Sequence, residues 1–253
     1  MRNIKIVLAY DGTNYAGWQR QKNVPTIQGI IEEKICVMTG AQVVLHGAGR
    51  TDAGVHALGM TANFKTHSDI PATGFLKGLN SLLPEDIRIL DVQDIDPDFH
   101  ARYSARGKAY LYVINAGMIT LPTERLYTCG ISRNLDLNRI RDCLKILIGK
   151  HDFSSFEATG SRDLSDKNGK GANREIFSAE CVLKDSETGL IFIKISGDGF
   201  LRHMVRNIVG TLIEVGIGKM SVTDFKKALE SKNRSAAGPT APARGLFLKK
   251  VFY

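Results

Sequence analysis

The segment most suited to chemistry is a glycine-rich stretch with one arginine and one aspartate, GAGRTDAGVHA at residues 47–57. Small residues let the backbone approach a ligand closely, and Arg50 stands two residues before Asp52. A dinucleotide-binding fingerprint needs a glycine where Asp52 stands and a helix after it, so that class of site is excluded. A lone aspartate without a second carboxylate nearby favours a nucleophile. The alternative is that Asp52 caps a turn and Arg50 is a solvated surface residue.

A second group of polar residues surrounds the start of an apolar helical pattern. Arg202 and Arg206 are four residues apart, as are His203 and Asn207, so we expect these side chains to share one side of a helix. The apolar residues of that helix, from Met204 to Ile213, are expected to pack into a core. The polar side could bind phosphate or pair with a buried carboxylate, and the alternative is an ordinary solvated face.

Basic and aromatic residues are interleaved in RYSARGKAYLY, residues 102–112. Lysine and arginine contact phosphates and aromatic rings stack on bases, so this pattern indicates nucleic-acid binding. The chain has 34 Lys and Arg against 26 Asp and Glu, a formal charge of +8, which also favours a polyanionic partner. The alternative for Tyr110 and Tyr112 is that their rings face a core while their hydroxyls reach water.

Predicted strands and helices alternate in the first hundred residues, and they position the residues of the glycine-rich stretch. Apolar patterns predict a strand over 4–10, a helix over 27–38, strands over 43–46 and 58–64, a helix over 75–83 and a strand over 87–92. This β-α-β-β-α-β order is typical of a ferredoxin-like domain, an antiparallel sheet with helices on one face. The glycine-rich stretch falls in the loop between two of the strands.

The second half repeats this organisation with longer elements. The patterns predict strands over 103–115, 176–183, 190–195 and 246–253, and helices over 137–148, 204–213 and 222–230. Residues 159–173 are rich in serine, glycine, asparagine and charged residues and predict a mobile surface loop. The sequence therefore predicts an α+β protein of two ferredoxin-like α/β domains, at 1–102 and 103–253, with antiparallel sheets.

Composition and spacing exclude several classes of protein. With 43% hydrophobic and 24% charged residues, the chain is not expected to be disordered. Its longest apolar stretch, 204–217, is interrupted by Arg206, Asn207 and Glu214, so no run of about 20 apolar residues is available to span a bilayer. The four cysteines are far apart, so we expect neither a zinc site nor a disulfide framework, and such thiols favour a reducing cytoplasm.

Six blocks of the sequence resemble the TruA family of tRNA pseudouridine synthases, in the family's order. They are YDGTNYAGWQRQ at 10–21, GRTDAGVH at 49–56, FHAR at 99–102, DFSSF at 152–156, HMVRNIVG at 203–210 and GLFL at 245–248. Six ordered blocks spread over nearly the whole chain are far more specific than one motif. The chain departs from familiar members around Gly107-Lys108-Ala109 and throughout 159–173.

The resemblance implies an activity, a fold and a substrate. The activity is isomerisation of uridine to pseudouridine at positions 38, 39 and 40 in the anticodon stem-loop of tRNA. The fold is that of pseudouridine synthases, with two α/β domains flanking a basic active-site cleft. The resemblance further implies a homodimer that needs neither a cofactor nor a metal.

Motif matching to the family also implies roles for individual residues. Asp52 is the nucleophile, and Arg206 is its ion-pair partner. Tyr110 stacks on the target base, and Leu246 lies in an apolar pocket. The basic residues identified above complete the expected substrate-binding set, which adds Arg50, Arg202 and His203.

The chemistry of this reaction agrees with the residues present. Making pseudouridine breaks the C1′–N1 bond, turns the uracil and joins C1′ to C5, with nothing oxidised or hydrolysed overall. The target base must leave its stack, and an arginine near Asp52 would favour the ionised carboxylate that attack requires. Two other classes are kept open. A non-catalytic RNA-binding protein would need neither Asp52 nor Arg206, and a glycosidic hydrolase usually has a second carboxylate or a metal cluster.

Overall fold

The chain forms two compact units. The computed structural model describes residues 1–117, 119–160, 171–185 and 187–253. The first unit contains Met1–Lys108 and, at the end of the chain, Phe247–Tyr253, and the second contains Ala109–Leu246. Both units combine strands with helices, which confirms the predicted α+β class. Within these described ranges, no helix is long and apolar enough to cross a membrane.

The elements are numbered along the chain. They are β1 (Arg2–Tyr10), α1 (Ile27–Thr39), β2 (His46–Gly47), β3 (His56–Thr66), α2 (Ala72–Leu82), β4 (Ile87–Ile95), β5 (Gly107–Asn115), β6 (Cys129–Gly130), α3 (Leu137–Leu147), β7 (Gly149–Asp152), β8 (Asn173–Asp185), β9 (Leu190–Gly197), α4 (Met204–Gly216), α5 (Val222–Glu230) and β10 (Leu246–Phe252). Short 3₁₀ helices lie at Ser154–Phe156, Arg234–Ala236 and Ala243–Gly245.

The first unit is built on a sheet in the order β4-β1-β3-β10, with β2 beside β3. The strand β1 pairs antiparallel with both β3 and β4. Ile4, Ile6 and Leu8 alternate along β1 and are fully buried, as expected for a strand with one face on a core. The strand β3 begins at His56, within the last two residues of the glycine-rich stretch, so this core fixes the carboxyl end of that stretch.

Helix α1 begins where a side chain caps it. The Thr26 hydroxyl accepts a hydrogen bond from the Gly29 N–H at 3.3 Å. Ile27, Ile31 and Ile35 recur every four residues and are fully buried, which gives the helix one apolar face. The spacing of these isoleucines therefore predicts both the helix and the face that it buries.

The second unit is built on a sheet in the order β5-β9-β8-β7, with β6 beside β5. The apolar residues of α4 form a core, as the sequence predicts, since Met204, Ile208 and Leu212 are fully buried. Helix α5 begins at a capping box, in which the Ser221 hydroxyl accepts from the Asp224 N–H at 3.1 Å and the Asp224 carboxylate accepts from the Ser221 N–H at 3.3 Å.

The division into units differs from the predicted one in two respects. The boundary falls after Lys108 rather than after residue 102, and the last strand, expected in the domain at 103–253, belongs to the first unit from Phe247 onward. Local patterns do not reveal this arrangement, because the pairing of β10 with β3 joins residues far apart in the sequence. The predicted antiparallel sheets also include two parallel pairs, β10 with β3 and β6 with β5.

Most predicted elements are present, with local differences. The strand expected over 43–46 is reduced to His46–Gly47. The strand expected from residue 103 begins at Gly107, because residues 100–104 form a turn closed by a 2.9 Å hydrogen bond from the Ser104 N–H to the His100 carbonyl. The sequence does not predict β6 and β7, since strands of two and four residues show no clear periodicity. The loop predicted over 159–173 lies at 161–170 outside the described residues.

Candidate functional site

Asp52 lies in a loop that is fixed at several points within the first unit. The loop spans residues 48–55, between β2 and β3. The Val55 N–H donates to the Asp52 carbonyl at 3.2 Å and closes a turn at Asp52 itself. The Thr51 hydroxyl and the Tyr10 phenol form a buried hydrogen bond of 2.8 Å. Asp52 is therefore carried on a braced turn.

The motif at residues 10–21 supplies much of this brace. The Trp18 N–H donates to the Thr51 carbonyl at 3.1 Å, and the Trp18 side chain is buried. Gly17 has φ +96°, and a Cβ there would lie 2.5 Å from the Thr51 carbonyl oxygen. Only glycine combines this backbone conformation with so close an approach. The two blocks at 10–21 and 49–56 therefore pack against each other, and this packing fixes the position of Asp52.

The hydrogen bond that closes the turn at Asp52 uses its backbone carbonyl rather than its side chain. Val55 bonds to the backbone carbonyl of Asp52, which any residue provides. Asp52 is half-buried, and Arg50 is exposed. A residue of the same shape without a negative charge could therefore preserve the turn.

Lys108, the last residue of the first unit's longer segment, reaches the same loop. Its ammonium lies 3.0 Å from the point that a Cβ on Gly49 would occupy. The lysine places a positive charge beside the loop, where an anionic group of a substrate would be attracted. The sequence predicts no role for Lys108 beyond that of one basic residue in 102–112. No local pattern connects residue 108 with residue 49, and the contact arises from tertiary packing.

Arg202 and His203 lie before helix α4 rather than on its face. The helix begins at Met204, and His203 is its N-cap with φ +62°. The predicted helical face shared by Arg202 and Arg206 is therefore wrong, because the left-handed residue between them breaks the helical geometry. A left-handed conformation costs free energy in a residue with a side chain, and such residues concentrate at functional sites. Arg202 is exposed and His203 is half-buried.

Arg206 lies in the first turn of α4 and is held by a later segment of the chain. Its Nε donates to the Ala241 carbonyl at 2.8 Å, and the Ala241 N–H donates to the Arg206 carbonyl at 3.1 Å. The guanidinium is planar, so the bond from Nε also fixes the direction of its two terminal nitrogens. A guanidinium held in this way can bind a carboxylate or a phosphate in a bidentate manner.

Asn207 is structural, which corrects its predicted place on a polar face. The side chain is 1% exposed, and its Nδ2 donates to the Phe156 carbonyl at 2.8 Å. Its Oδ1 accepts hydrogen bonds from the Thr240 hydroxyl at 2.6 Å and from Nη2 of Arg234 at 3.2 Å. These bonds tie α4 to the segment 234–241, which also holds Arg206. Asn207 thus contributes to the site by fixing its support.

Tyr110 and Tyr112 differ in environment although both lie in β5. Tyr112 is fully buried, its hydroxyl donates to the Pro242 carbonyl at 2.8 Å, and burial raises the pKa of its phenol well above the usual range. Tyr110 is only half-buried, and its ring meets Phe200 edge-on with centroids 5.0 Å apart. The core interpretation therefore applies to Tyr112, and Tyr110 has ring surface available. Leu246 is buried at the start of β10.

The predicted site residues are distributed over both units. Arg50 and Asp52 share one loop of the first unit, and the others belong to the second unit, namely Tyr110, Arg202, His203, Arg206 and Leu246. The pairing of Arg206 with Asp52 stays a prediction. Within the part of the chain that the structure describes, no group of three or more His, Cys, Asp or Glu side chains could hold a metal ion.

The family described as tRNA pseudouridine synthase matches residues 6–104 and 144–253 of this chain. The matched ranges contain the Asp52 loop, the start of α4 and the segment that holds Arg206. The class of protein is that of isomerases that convert uridine to pseudouridine. The chain belongs to the tRNA pseudouridine synthase family. The resemblance and the enzyme class predicted from the six motifs are thereby confirmed, and the α+β structure is consistent with the pseudouridine synthase fold.

Curated relatives match the chain over its whole length. A protein of Desulfotalea psychrophila named tRNA pseudouridine synthase A 1 is 51% identical, with 100% of both chains covered. Proteins named tRNA pseudouridine synthase A from Acetivibrio thermocellus and Lacticaseibacillus casei are each 46% identical, again with 100% of both chains covered. Among solved structures, a chain of an archaeal box H/ACA sRNP complex gives a TM-score of 0.37 at 11% identity, over 92% of this chain and 59% of that chain. Nothing in the assignment rests on that weak likeness.

Proposed function

We propose that this protein isomerises uridine to pseudouridine at positions 38, 39 and 40 of the tRNA anticodon stem-loop, with Asp52 as the nucleophile. The construction of the Asp52 loop is the observation that supports this best. Its backbone is fixed by Thr51, Trp18 and Gly17, and the turn is closed through a carbonyl. Such a loop holds the backbone of Asp52, and with it the carboxylate, at a defined point, as a nucleophile requires.

The reaction sets the demands on the residues. The C1′–N1 bond breaks, the uracil turns, a C1′–C5 bond forms, and the proton lost from C5 is balanced by one gained at N1. Atoms and electrons balance within the substrate, so this is an isomerisation. Addition of Asp52 to the sugar, its addition to the uracil ring and its removal of a sugar proton are alternative first steps. All three need the ionised form of the carboxylate.

Arg206 is proposed to favour that ionised form. A guanidinium beside a carboxylate stabilises the charged state. The Nε of Arg206 is already bound to the Ala241 carbonyl, so its terminal nitrogens are the ones that would meet Asp52. The preset direction of these nitrogens reduces the entropy lost when the pair forms.

The flipped base needs one face for stacking and an apolar surrounding. The half-buried ring of Tyr110, steadied edge-on by Phe200, suits the first role, and the buried Leu246 suits the second. The flanking phosphates would be bound by Arg50 in the loop and by Arg202 and His203 before α4. The exposure of both arginines leaves them accessible to a large substrate.

The remaining parts of the proposal concern the assembly. The relatives' names specify tRNA, and the +8 charge suits a polyanionic substrate. We expect a homodimer on the basis of the family resemblance. We also expect the enzyme to act in the cytoplasm on tRNA, without a cofactor.

The decisive experiment replaces Asp52 with asparagine. Asp52→Asn keeps the shape of the side chain and the carbonyl that closes the turn, but it removes the attacking carboxylate. Incubation of excess enzyme with an unmodified tRNA transcript, followed by nuclease digestion and mass spectrometry, should yield pseudouridine with the wild type and none with the variant. Single-turnover conditions prevent product release from hiding a working chemical step.

The exposed Asp69 of the same unit supplies a matched control. Asp69→Asn removes the same charge and should leave pseudouridine formation at the wild-type level. Pseudouridine formed by folded Asp52→Asn protein would end the nucleophile assignment. Free uracil from the wild type would identify a hydrolase, and unchanged uridine would identify a protein that only binds RNA. Sequencing the product separately tests the three positions.

A further inference from the structure

Three neighbouring rings form an aromatic cluster at the surface of the first unit, apart from the residues assigned above. The His100 ring is close to the rings of His46 and Tyr103, with centroids 4.8 Å and 4.4 Å away and ring planes inclined by 40° and 38°. The Arg102 guanidinium carbon lies 5.9 Å from the centre of the Tyr103 ring, within reach of a cation–π interaction. Tyr103 is 78% exposed, so this ring is not part of a core. These four residues are called the His100 stack below.

The backbone beneath the His100 stack is held firmly. The Ser104 N–H donates to the His100 carbonyl at 2.9 Å, and the His100 N–H donates to the Ser104 hydroxyl at 3.1 Å. Between them, the Ala101 N–H donates to the Asn63 side chain and the Ala101 carbonyl accepts from the Tyr253 hydroxyl, both at 2.8 Å. A ligand that stacks on these rings would therefore meet a surface that is already ordered, which reduces the entropic cost of binding.

The protonation of His100 also suits stacking. Its Nδ1 accepts from the Arg102 N–H at 3.1 Å, which places the proton of the neutral ring on Nε2. Burial and the neighbouring charge of His46 lower the pKa of His100 below its usual value of 6.5. At neutral pH the ring is therefore uncharged and presents one N–H donor.

A cavity of about 490 Å³ lies against the same rings. Its lining includes the rings of His46, His100 and Phe99, together with the charged side chains of Lys65 and Asp98. The volume falls in the range of small-ligand sites. Ring faces, one ammonium and one carboxylate suit the base and the phosphate of a nucleotide, since bases stack, phosphates attract cations, and the N–H groups of bases donate to carboxylates.

We propose that the His100 stack and this cavity bind an unpaired nucleotide of the tRNA substrate, other than the target uridine. Its base stacks on the rings, and its phosphates meet Arg102 and Lys65. Unpaired RNA is recognised in this way, by aromatic rings and arginine planes that accept any base face. The target uridine has its own proposed ring, Tyr110. The identity of the RNA rests on the proposed function, whereas the binding mode is argued from the first unit alone.

The test measures binding rather than turnover. Tyr103→Ala and His46→Ala each remove one ring at the surface, where folding is expected to tolerate the change. Dissociation constants are measured with a full-length tRNA transcript and with a blunt RNA duplex that has no unpaired nucleotide. Each variant should bind the tRNA about 5- to 150-fold more weakly, since one base–ring stack contributes about 1–3 kcal/mol. Tyr103→Phe keeps the ring and should bind tRNA with nearly wild-type affinity. Binding of the duplex should be unchanged in all three variants.

A matched control uses a ring outside the stack. Phe177 on β8 is 49% exposed, and Phe177→Ala should bind tRNA as the wild type does. Replacing unpaired tRNA nucleotides one at a time by abasic residues then locates the partner. At the correct nucleotide the abasic change should weaken wild-type binding but have little further effect in Tyr103→Ala, which reports direct coupling.

The outcomes separate this inference from the proposed function. Unchanged tRNA affinity in both Tyr103→Ala and His46→Ala would overturn the inference, even if the wild type makes pseudouridine. Equal loss of affinity for tRNA and for the duplex would also overturn it, because the residues would then contact only backbone phosphates. Selective loss of tRNA affinity would support it, even if the wild type proved not to form pseudouridine.

Discussion

Arg206 and Ala241 are joined by two hydrogen bonds that run in opposite directions. The Arg206 side chain donates through Nε to the Ala241 carbonyl, and the Ala241 N–H donates to the Arg206 carbonyl. One arginine therefore binds a backbone segment through its Nε. Because the guanidinium is planar, the same bond also fixes the direction of the two terminal nitrogens. A lysine cannot perform both tasks, because its donors all belong to one ammonium.

The first prediction follows from this division of donors. Arg206→Lys should lower kcat on tRNA at least about tenfold, because a hydrogen bond to a charged group contributes about 1.5–3 kcal/mol. The change in tRNA affinity should be smaller, since the proposed partner is Asp52 rather than a phosphate. Arg141 offers a control in the same unit, because its Nε also donates to a carbonyl, that of Cys181. Normal turnover with weak binding in Arg206→Lys would transfer this residue to the binding set, whereas Arg141→Lys should leave turnover unchanged.

The second prediction concerns the brace beneath Asp52. Gly17→Ala should destabilise the protein by at least about 1 kcal/mol and reduce pseudouridine formation, because the new Cβ would both strain the backbone and displace the Thr51 carbonyl. Gly40→Ala separates the two causes, since Gly40 has φ +70° with nothing within 4 Å of the new Cβ. That control should lose stability, by about 1–2 kcal/mol, and keep its activity. Urea unfolding and single-turnover assays measure the two effects, and equal activity losses in both variants would refute the brace.

The third prediction concerns salt and Lys108. If phosphate contacts dominate tRNA binding, log Kd should rise linearly with log salt concentration, with a slope of roughly 0.7–0.9 per contact. Lys108→Met should weaken binding and reduce this slope by about one contact. Gly49→Ala should have a smaller effect, because its Cβ would lie 3.0 Å from the lysine ammonium, at the flexible end of a side chain that can shift slightly.

The exposed Lys249 on β10 is the matched control for Lys108. Lys249→Met removes the same charge from the same unit and should change the slope less. A slope in Lys108→Met equal to that of the wild type would exclude a phosphate contact by this residue. A nearly flat salt dependence in the wild type would contradict electrostatic binding altogether.

The fourth prediction concerns the pH dependence of stability. The pKa of His100 is lowered in the folded protein by burial and by the charge of His46, so the unfolded chain binds the proton more readily. The contribution of His100 to the free energy of unfolding should therefore be complete above pH 6.5, the usual pKa of histidine, and should decrease as the pH falls towards its folded pKa. His46→Gln should raise the His100 pKa and weaken this dependence. NMR titration of the ring measures the pKa directly. A His100 pKa equal to the usual value of 6.5 in the wild type would contradict the prediction.

The family could be predicted from local motifs, and its assignment is confirmed. The roles of Asp52, Arg206 and Tyr110, which the resemblance to the family implies, stay predictions. The helices were predicted well where apolar residues recur at helical spacing, as at Ile27, Ile31 and Ile35 in α1. These features are local, so a local pattern contains them.

Some predictions failed where one residue changed the local geometry. The four-residue spacing placed Arg202 and Arg206 on one helical face, but the left-handed His203 starts the helix after Arg202. Asn207 was expected on a polar face and is buried, because the Thr240 hydroxyl and Arg234 satisfy its side chain. Spacing alone does not reveal which polar groups find partners from a distant segment.

The support of the candidate site residues is visible only in the folded protein. The fit of Gly17 against the Thr51 carbonyl, the approach of Lys108 to Gly49, the hold of Ala241 on Arg206 and the membership of β10 in the first unit all join residues distant in sequence. Each depends on close packing and on backbone hydrogen bonds between segments, whose partners are set by the folded arrangement and leave no periodic signal in the chain. The sequence predicts which side chains react, and packing determines where those side chains are held.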